Sequence, residues 1–246
     1  MSEEIERLFA RYATSGVTEV DHTLWDTLLA RFIVPSLDGV NRVDYARVKA
    51  EGLESLNRYV ASLEAVDVTA LGRAQQFAFW INLYNAAVVR LVANHYPMRS
   101  ILEISPIGPW KDKLVIVNQI ALSLDDIENV ILRGLFGDPR LHYAINCGSV
   151  GCPSLQLKAF TGAALDAQLD RAARDFINNP RAVRYEDGKL VLSGIFKWYR
   201  RDFEGDERGV LAHISRYTDK PARHLLDGGK FDDYSYDWGL NDVPRH

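Results

Sequence analysis

The chain of 246 residues is 47% hydrophobic and 25% charged, and it carries a net charge of −4. Such a composition can bury a large core, which excludes an intrinsically disordered chain. The basic cluster Lys197–Phe203 is interrupted by aromatic residues and followed by acidic ones, so it does not form the basic stripe that contacts nucleic acid. We therefore expect no nucleic-acid partner.

The start of the chain and its cysteine content predict a cytoplasmic protein. The first residues lack the basic start and apolar run of a signal peptide, and no apolar run approaches the roughly 18 residues that cross a membrane. Two cysteines are too few for a disulfide framework, which is typical of a reducing compartment. We expect a soluble protein with no membrane partner, and the sequence does not determine its oligomeric state.

The order of the predicted elements indicates an α+β fold, in a single domain over residues 1–246 that is mainly helical with a small, mostly antiparallel sheet. The first third predicts three helices, the last of which ends near Leu63. Apolar residues on nearly every face from Leu71 to His95 predict a buried central helix. Because Asn82 and Asn85 lie within it, we expect their amides to find hydrogen-bond partners.

The second half of the chain alternates strand and helix patterns. Two short strands are predicted before a helix that begins at Ser123, where Asp126 completes a capping box. Residues that favour β-structure predict a strand over 140–146. An amphipathic helix over 161–179 and a hairpin around Asp187 and Gly188 follow, and aromatic, helix-like segments close the chain.

Glu128 is the first candidate for a functional side chain. It lies in the middle of the apolar arc of its helix, and burying a carboxylate is costly unless the group is paired or hydrogen-bonded. Two interpretations follow: a structural ion pair with an arginine such as Arg140, or a catalytic carboxylate.

His142 and Cys147 form the second candidate. A cysteine becomes a nucleophile at neutral pH when a base or a positive charge lies beside it, and a third polar group, here Glu128, would orient the imidazole. On a continuous strand the two side chains face opposite sides, so contact requires a turn at Gly148. The rival base is His95. The alternative is that the cysteines are inert, buried residues.

Cys152 follows Cys147 at a spacing that differs from the usual Cys-x2-Cys of metal and thioredoxin-like sites. With one histidine nearby and no second ligand cluster, we expect no metal site and no cofactor. The sequence does not determine whether the two cysteines form a disulfide, because it does not give their Cα separation.

Several blocks of the chain, in order, resemble a known family: "FAFWINLYNAAVV", "SLDDIENVILRGLFGDPRLHYAINCGSVGCPSL", "LSGIFKWYRRDF" and "YDWGLN". They are similar to the bacterial branch of domain of unknown function family 547, from about Val43 to Asn241, with the helices of residues 1–42 packed on this region. The family has no settled reaction. The resemblance implies a motif that consists of Asn82, Tyr84, Asn85, Glu128, His142 and Cys147.

The same resemblance distinguishes the roles of the two cysteines. Plant-like relatives keep the cysteine that matches Cys147 and tend to have serine at the position of Cys152, which favours Cys147 as the nucleophile. The family often has histidine directly after the matching glutamate, where this chain has Asn129. That position lies opposite the apolar arc, so we favour His142 as the base.

The main hypothesis is a cysteine-dependent hydrolase or acyl transferase with a papain-like or transglutaminase-like core. Cys147 would be the nucleophile, His142 the base and Glu128 the orienting residue, and the substrate would be a small molecule or a peptide-like amide. The residues expected to bind the substrate are Asn82, Asn85, Asn146 and Ser149.

Two alternatives use the same residues. One is a non-catalytic module that binds an amino acid or a peptide end, with the aromatic C-terminal third covering the pocket. The other is a redox switch formed by Cys147 and Cys152.

Overall fold

The computed structural model describes residues 2–15, 19–105, 108–187, 189–219, 231 and 233–244. The α-helices are α1 (Ser2–Phe9), α2 (Thr23–Phe32), α3 (Tyr45–Arg47), α4 (Leu53–Glu64), α5 (Arg73–His95), α6 (Leu165–Ile177), α7 (Gly194–Trp198) and α8 (Glu207–Tyr217). A π-helical turn, Val48–Gly52, joins α3 to α4, so the predicted third helix is confirmed and ends at Glu64. Among the helices of the described ranges, none is long and apolar enough to cross a membrane.

The strands form small separate sheets. They are β1 (Ile33–Val34), β2 (Arg42–Val43), β3 (Lys113–Val117), β4 (Ile120–Ser123), β5 (Val183–Glu186), β6 (Lys189–Ser193) and β7 (Asp233–Ser235). The pairs β1–β2, β3–β4 and β5–β6 are antiparallel, whereas β7 lies parallel to β6. The predicted α+β fold with small, mostly antiparallel sheets is therefore confirmed. The predicted hairpin is present, although Gly188 lies outside the described residues.

Helix α5 is the centre of the main hydrophobic core, as its sequence predicts. Seventeen of its residues are buried, because apolar side chains cover nearly all of its faces. It packs against α4 and against the π-helical segment Asp126–Phe136, which we call the Glu128 helix. Ile5 and Phe9 of α1 bury their side chains in the same core. A second, aromatic-rich cluster surrounds α6 and α8.

The predicted capping box sets the start of the Glu128 helix. The backbone N–H of Ser123 donates to the Asp126 carboxylate at 2.8 Å, and the backbone N–H of Asp126 donates to Ser123 Oγ at 3.1 Å. Each side chain thus satisfies a backbone donor that the first helical turn leaves without a partner. This exchange fixes the position of Glu128, which follows in the same turn.

The strand predicted over residues 140–146 is wrong: Pro139–Tyr143 is a 3-10 helix. Asp138 caps it by accepting the backbone N–H of Arg140 at 2.9 Å. Beyond this turn the amide of Asn85 donates to Ala144 O and accepts the Asn146 N–H, at 2.9 and 2.8 Å. A side chain therefore supplies the hydrogen bonds that a neighbouring strand would have made. The β-favouring residues of the segment are buried by tertiary packing instead.

The segment 240–243 connects the N-terminal part of the chain to the loop that holds the cysteines. Asn241 accepts the backbone N–H of Val43 at 2.8 Å through its carbonyl and donates its own N–H to Gly148 O at 2.9 Å. Its side-chain oxygen accepts the Tyr45 hydroxyl at 2.8 Å. This segment therefore holds β2 and the cysteine loop together.

Candidate functional site

A cavity of about 270 Å³ lies between α5, the Glu128 helix, the cysteine loop and the C-terminal aromatic residues. Glu128, His142 and Cys147, the predicted catalytic residues, all line it, together with Cys152. Its aromatic side chains are Tyr84, Trp110, Trp198, Tyr199, Tyr236 and Trp238. Residues that are distant in the chain thus share one cavity.

Glu128 is held by two phenols. Tyr84 OH donates to Oε2 at 2.9 Å, and Tyr199 OH donates to Oε1. Burial, together with the negative charge of Glu128, raises the pKa of both phenols, so they keep their protons and act as donors. The alternative of a structural ion pair between Glu128 and Arg140 is not observed, because that guanidinium binds Asp138, Asp166 and Asp170.

His142 is oriented by Asp202 rather than by Glu128. The imidazole Nε2 lies 2.7 Å from Asp202 Oδ2, and the ring stacks on Tyr199 with centroids 4.1 Å apart. A carboxylate only accepts hydrogen bonds, so Nε2 carries the proton and Nδ1 is left as the basic nitrogen. Arg133 donates to the same carboxylate through Nε and Nη2, at 2.6 and 2.9 Å.

The charge of Asp202 is stabilised by these partners. Partial burial disfavours the ionised carboxylate, but hydrogen bonds from His142 and Arg133 outweigh it and hold the pKa of Asp202 well below its usual range. Asp202 therefore remains ionised beside the imidazole. The rival base His95 lies exposed at the end of α5, where its Nδ1 contacts Leu91 O at 2.9 Å.

Cys147 and Cys152 are joined by a disulfide, with their Cα atoms 6.3 Å apart. The hydroxyl of Tyr236 lies 3.2 Å from the Cys147 sulfur and 3.0 Å from the Cys152 sulfur. The backbone N–H of Cys147 also donates to the Cys152 sulfur, at 3.0 Å. Within the described part of the chain, no hydrogen bond joins the Cys147 sulfur to His142. The disulfide that the sequence analysis left undecided is therefore formed, and both cysteines are present in the oxidised state.

Residues 68–177 match the family described as "Protein of unknown function, DUF547". The match supports a DUF547 assignment. The matched region includes Glu128, His142 and both cysteines, but it is shorter than the predicted resemblance from Val43 to Asn241 and does not include Asp202. Comparisons with curated proteins and with solved structures found no match.

Two buried asparagines of the matched region bind the backbone. Asn82 donates to Phe160 O at 2.8 Å and accepts the N–H of Phe160 at 3.0 Å. Asn85 makes the same kind of pair of bonds with the segment that follows the 3-10 helix. The expectation that both amides find partners is confirmed. Neither residue lines the cavity, and their predicted substrate contact stays a prediction.

Asn146 and Ser149 shape the cysteine loop itself. Asn146 accepts the N–H of Gly148 at 2.8 Å and donates to Pro153 O at 2.6 Å, which ties the two ends of the loop. Gly148 has φ +83°, the left-handed conformation that favours glycine, and it provides the turn predicted after Cys147. Ser149 Oγ lies 3.4 Å from the Cys147 sulfur. These two residues also lie outside the cavity lining, so their binding role stays a prediction.

Asp202, Arg133 and Trp110 are not identified by the sequence patterns. Asp202 lies within the basic cluster Lys197–Phe203, which the sequence analysis interprets only with respect to nucleic-acid binding. A buried imidazole usually needs a carboxylate or carbonyl on its second nitrogen, and this is the only signal that pointed to a partner such as Asp202. Across the described ranges, no group of three or more His, Cys, Asp or Glu side chains is arranged to hold a metal ion.

Proposed function

We propose that the protein is a cysteine-dependent hydrolase or acyl transferase that acts on an amide or peptide-like substrate. Cys147 would be the nucleophile once its bond to Cys152 is reduced. The observation that carries the proposal is that Cys147 and His142 line one cavity, while Asp202 holds the second nitrogen of the imidazole. A thiol, an imidazole and a carboxylate that orients the imidazole are the groups that covalent acyl transfer uses.

The reaction begins with reduction. A thiol reductant supplies two electrons and two protons to the disulfide and gives two thiols. The proton of Cys147 then passes to His142 Nδ1 as the sulfur attacks the substrate carbonyl carbon. The leaving amine takes that proton from the imidazole, and a thioester remains on Cys147. Water hydrolyses the thioester to an acid, or an amine acceptor forms a new amide, and the thiol is regenerated.

Asp202 takes the orienting role that the sequence analysis gave to Glu128. Its bond to His142 Nε2 fixes the tautomer and leaves Nδ1 available for the proton. Tyr236 supplies a donor beside the sulfur, since burial raises the pKa of its phenol and keeps it protonated. A donor at this place can stabilise the developing oxyanion. A papain-like or transglutaminase-like core is part of the proposal.

The second candidate is a ligand-binding module without turnover. Two features favour it: the sulfur of Cys147 is bound to Cys152, and no hydrogen bond between described residues joins it to His142. The cavity would then hold an amino acid or a peptide end against its aromatic side chains.

The rate of alkylation of each isolated thiol distinguishes these functions. In Cys152→Ser the only thiol is Cys147, and in the matched variant Cys147→Ser it is Cys152. An ordinary thiol with a pKa of about 8.5 is only about 0.3% ionised at pH 6, so an activated Cys147 should react with iodoacetamide roughly 100-fold faster than Cys152. Adding His142→Gln to Cys152→Ser should remove most of this difference, whereas His95→Gln should not.

Equal, slow labelling of both thiols would contradict the enzyme proposal. So would a fast reaction of Cys147 that His142→Gln leaves unchanged. A rise in melting temperature with amino acids or peptides, without product, would then favour the binding module.

A further inference from the structure

The cavity contains negative charge without a matching cation. Glu128 and Asp125 line it, and its described lining includes no lysine and no arginine. Within the described residues Glu128 makes no ion pair, and its hydrogen-bond donors are the phenols of Tyr84 and Tyr199. Phenols donate hydrogen bonds but bring no positive charge. A carboxylate in such a setting is stabilised further by any cation that enters.

Arg133, which interacts electrostatically with Glu128, is already engaged by another carboxylate. Arg133 binds Asp202 through two nitrogens and lies with its guanidinium carbon 5.0 Å from the centre of the Tyr199 ring. It does not line the cavity. His142, which does line it, has its Nε2 on Asp202. The charge of Arg133 acts on Glu128 without an ion pair between them, so the position in direct contact with the Glu128 carboxylate is left for a ligand cation.

The aromatic wall favours the same kind of ligand. Trp198, Tyr236 and Trp238 pack together with ring centroids 4.7 to 5.6 Å apart, and their planes are inclined by 36° to 62°. Aromatic faces attract cations, and clusters of inclined rings are a known way to bind ammonium groups. Two features, a carboxylate without a counter-ion and a three-ring wall, therefore select one ligand class.

We infer that the cavity binds the positively charged end of its ligand, an organic ammonium or guanidinium group, with Glu128 as counter-ion and the Trp198–Tyr236–Trp238 wall around it. Under the proposed function this ligand is the substrate, so the inference names the substrate class of the enzyme and rests on that function. The binding itself needs no thiol. The volume of about 270 Å³ is near the lower end of ligand cavities, roughly 300 Å³ and above, which fits a small cationic group.

Calorimetric titration of a variant that cannot react tests this inference. The double variant Cys147→Ser, Cys152→Ser lacks both thiols, so its binding is measured without any acyl transfer. The probes are butylammonium and butylguanidinium, with pentan-1-ol as a neutral analogue and pentanoate as an anion. We expect the cations to bind at least about tenfold more tightly than the alcohol, and the anion to bind least.

Substitutions then assign the preference to named residues. Glu128→Gln keeps the size and the acceptor oxygen of the side chain, and should weaken cation binding about tenfold without weakening the alcohol. Trp198→Ala removes a half-exposed ring and should weaken cation binding about threefold. Glu204→Gln changes an exposed carboxylate that pairs with Arg216 and should have no effect.

Equal binding of cation and alcohol, tighter binding of pentanoate, or no binding of either cation at millimolar concentration would each overturn the inference. An unchanged cation affinity in Glu128→Gln would do the same. Because the double variant lacks both thiols, its cation binding is measured independently of the enzyme proposal. Selective cation binding together with slow labelling of Cys147 would indicate a cation-binding module. Absence of selective cation binding together with fast labelling of Cys147 would indicate an enzyme that acts on another class of substrate.

Discussion

Two neighbouring residues of α5 use their polar atoms in different ways. Asn85 binds the backbone of Ala144 and Asn146 with both ends of its amide, whereas Tyr84 donates its hydroxyl to the Glu128 side chain at the edge of the cavity. Both residues are buried. The amide of Asn85 stabilises the fold, and the hydroxyl of Tyr84 supports a carboxylate that lines the cavity. A buried polar residue is therefore informative about function only through its partner.

Asn85→Ala should produce the largest loss of stability. It leaves the Asn146 N–H and the Ala144 carbonyl buried without partners, which should lower the free energy of unfolding by about 3 kcal/mol. Urea denaturation measures this. Asn178→Ala, where an exposed amide also binds backbone carbonyls, is the matched control and should cost less than about 1 kcal/mol. A loss at Asn85 no larger than at Asn178 would contradict the structural role.

Asp202→Asn should have the next largest effect, about 2 kcal/mol at pH 7, because it removes the charge that His142 and Arg133 share. The pKa of Asp202 is lower in the folded than in the unfolded protein. Its stabilisation is therefore complete above the ordinary pKa of about 3.9 and is lost as the pH falls towards the folded-state value.

Urea denaturation of wild type and Asp202→Asn between pH 7 and pH 3 checks this prediction. The difference between the two proteins should be constant at neutral pH and should shrink below about pH 4. Asp166→Asn, which removes an exposed partner of Arg140, is the control and should change little at any pH. A difference that stays constant down to pH 3 would show that the charge of Asp202 does not stabilise the fold.

Ser123→Ala tests the capping box in front of Glu128. It should cost about 1 kcal/mol, because the Asp126 N–H loses its acceptor at the start of the helix. Ser123→Thr keeps the oxygen and should recover most of the loss in the same urea measurement. If both substitutions cost the same, the hydroxyl has no capping role.

Tyr84→Phe should have the smallest effect, less than about 1 kcal/mol. It keeps the buried ring, and Glu128 retains the hydrogen bond from Tyr199 and its access to the cavity. The urea midpoints of Tyr84→Phe and Asn85→Ala compare the stability that is lost with a bond to the Glu128 side chain and with bonds to the backbone. A loss as large as that of Asn85→Ala would make the Tyr84–Glu128 pair a structural one.

Local patterns predicted most of the helices and the burial of α5. Hydrophobic periodicity gave α5 to within two residues, and the spacing of Ser123 and Asp126 gave the capping box, because these depend on neighbours within a few residues. The strand at 140–146 failed for the opposite reason. Its β-favouring side chains are buried, but Asn85, from a distant helix, takes its backbone hydrogen bonds.

Such local patterns do not predict the partners of the site residues. Asp202 lies 60 residues from His142, and Tyr236 lies 89 residues from Cys147. Sequence spacing carries no information about contacts of that range without an alignment. The disulfide was undecided for the same reason, since it depends on a loop geometry that Asn146 and Gly148 create together.

The segment 240–243 has a consequence for synthesis of the protein on the ribosome. Cys147 and His142 are made first, and Tyr236, which lies beside the cysteines, is made 89 residues after Cys147 in a segment that is anchored through Asn241. At roughly 5–20 residues per second, this delay is about 5 to 20 s. A nascent chain therefore exposes its two thiols for seconds before the pocket around them can close.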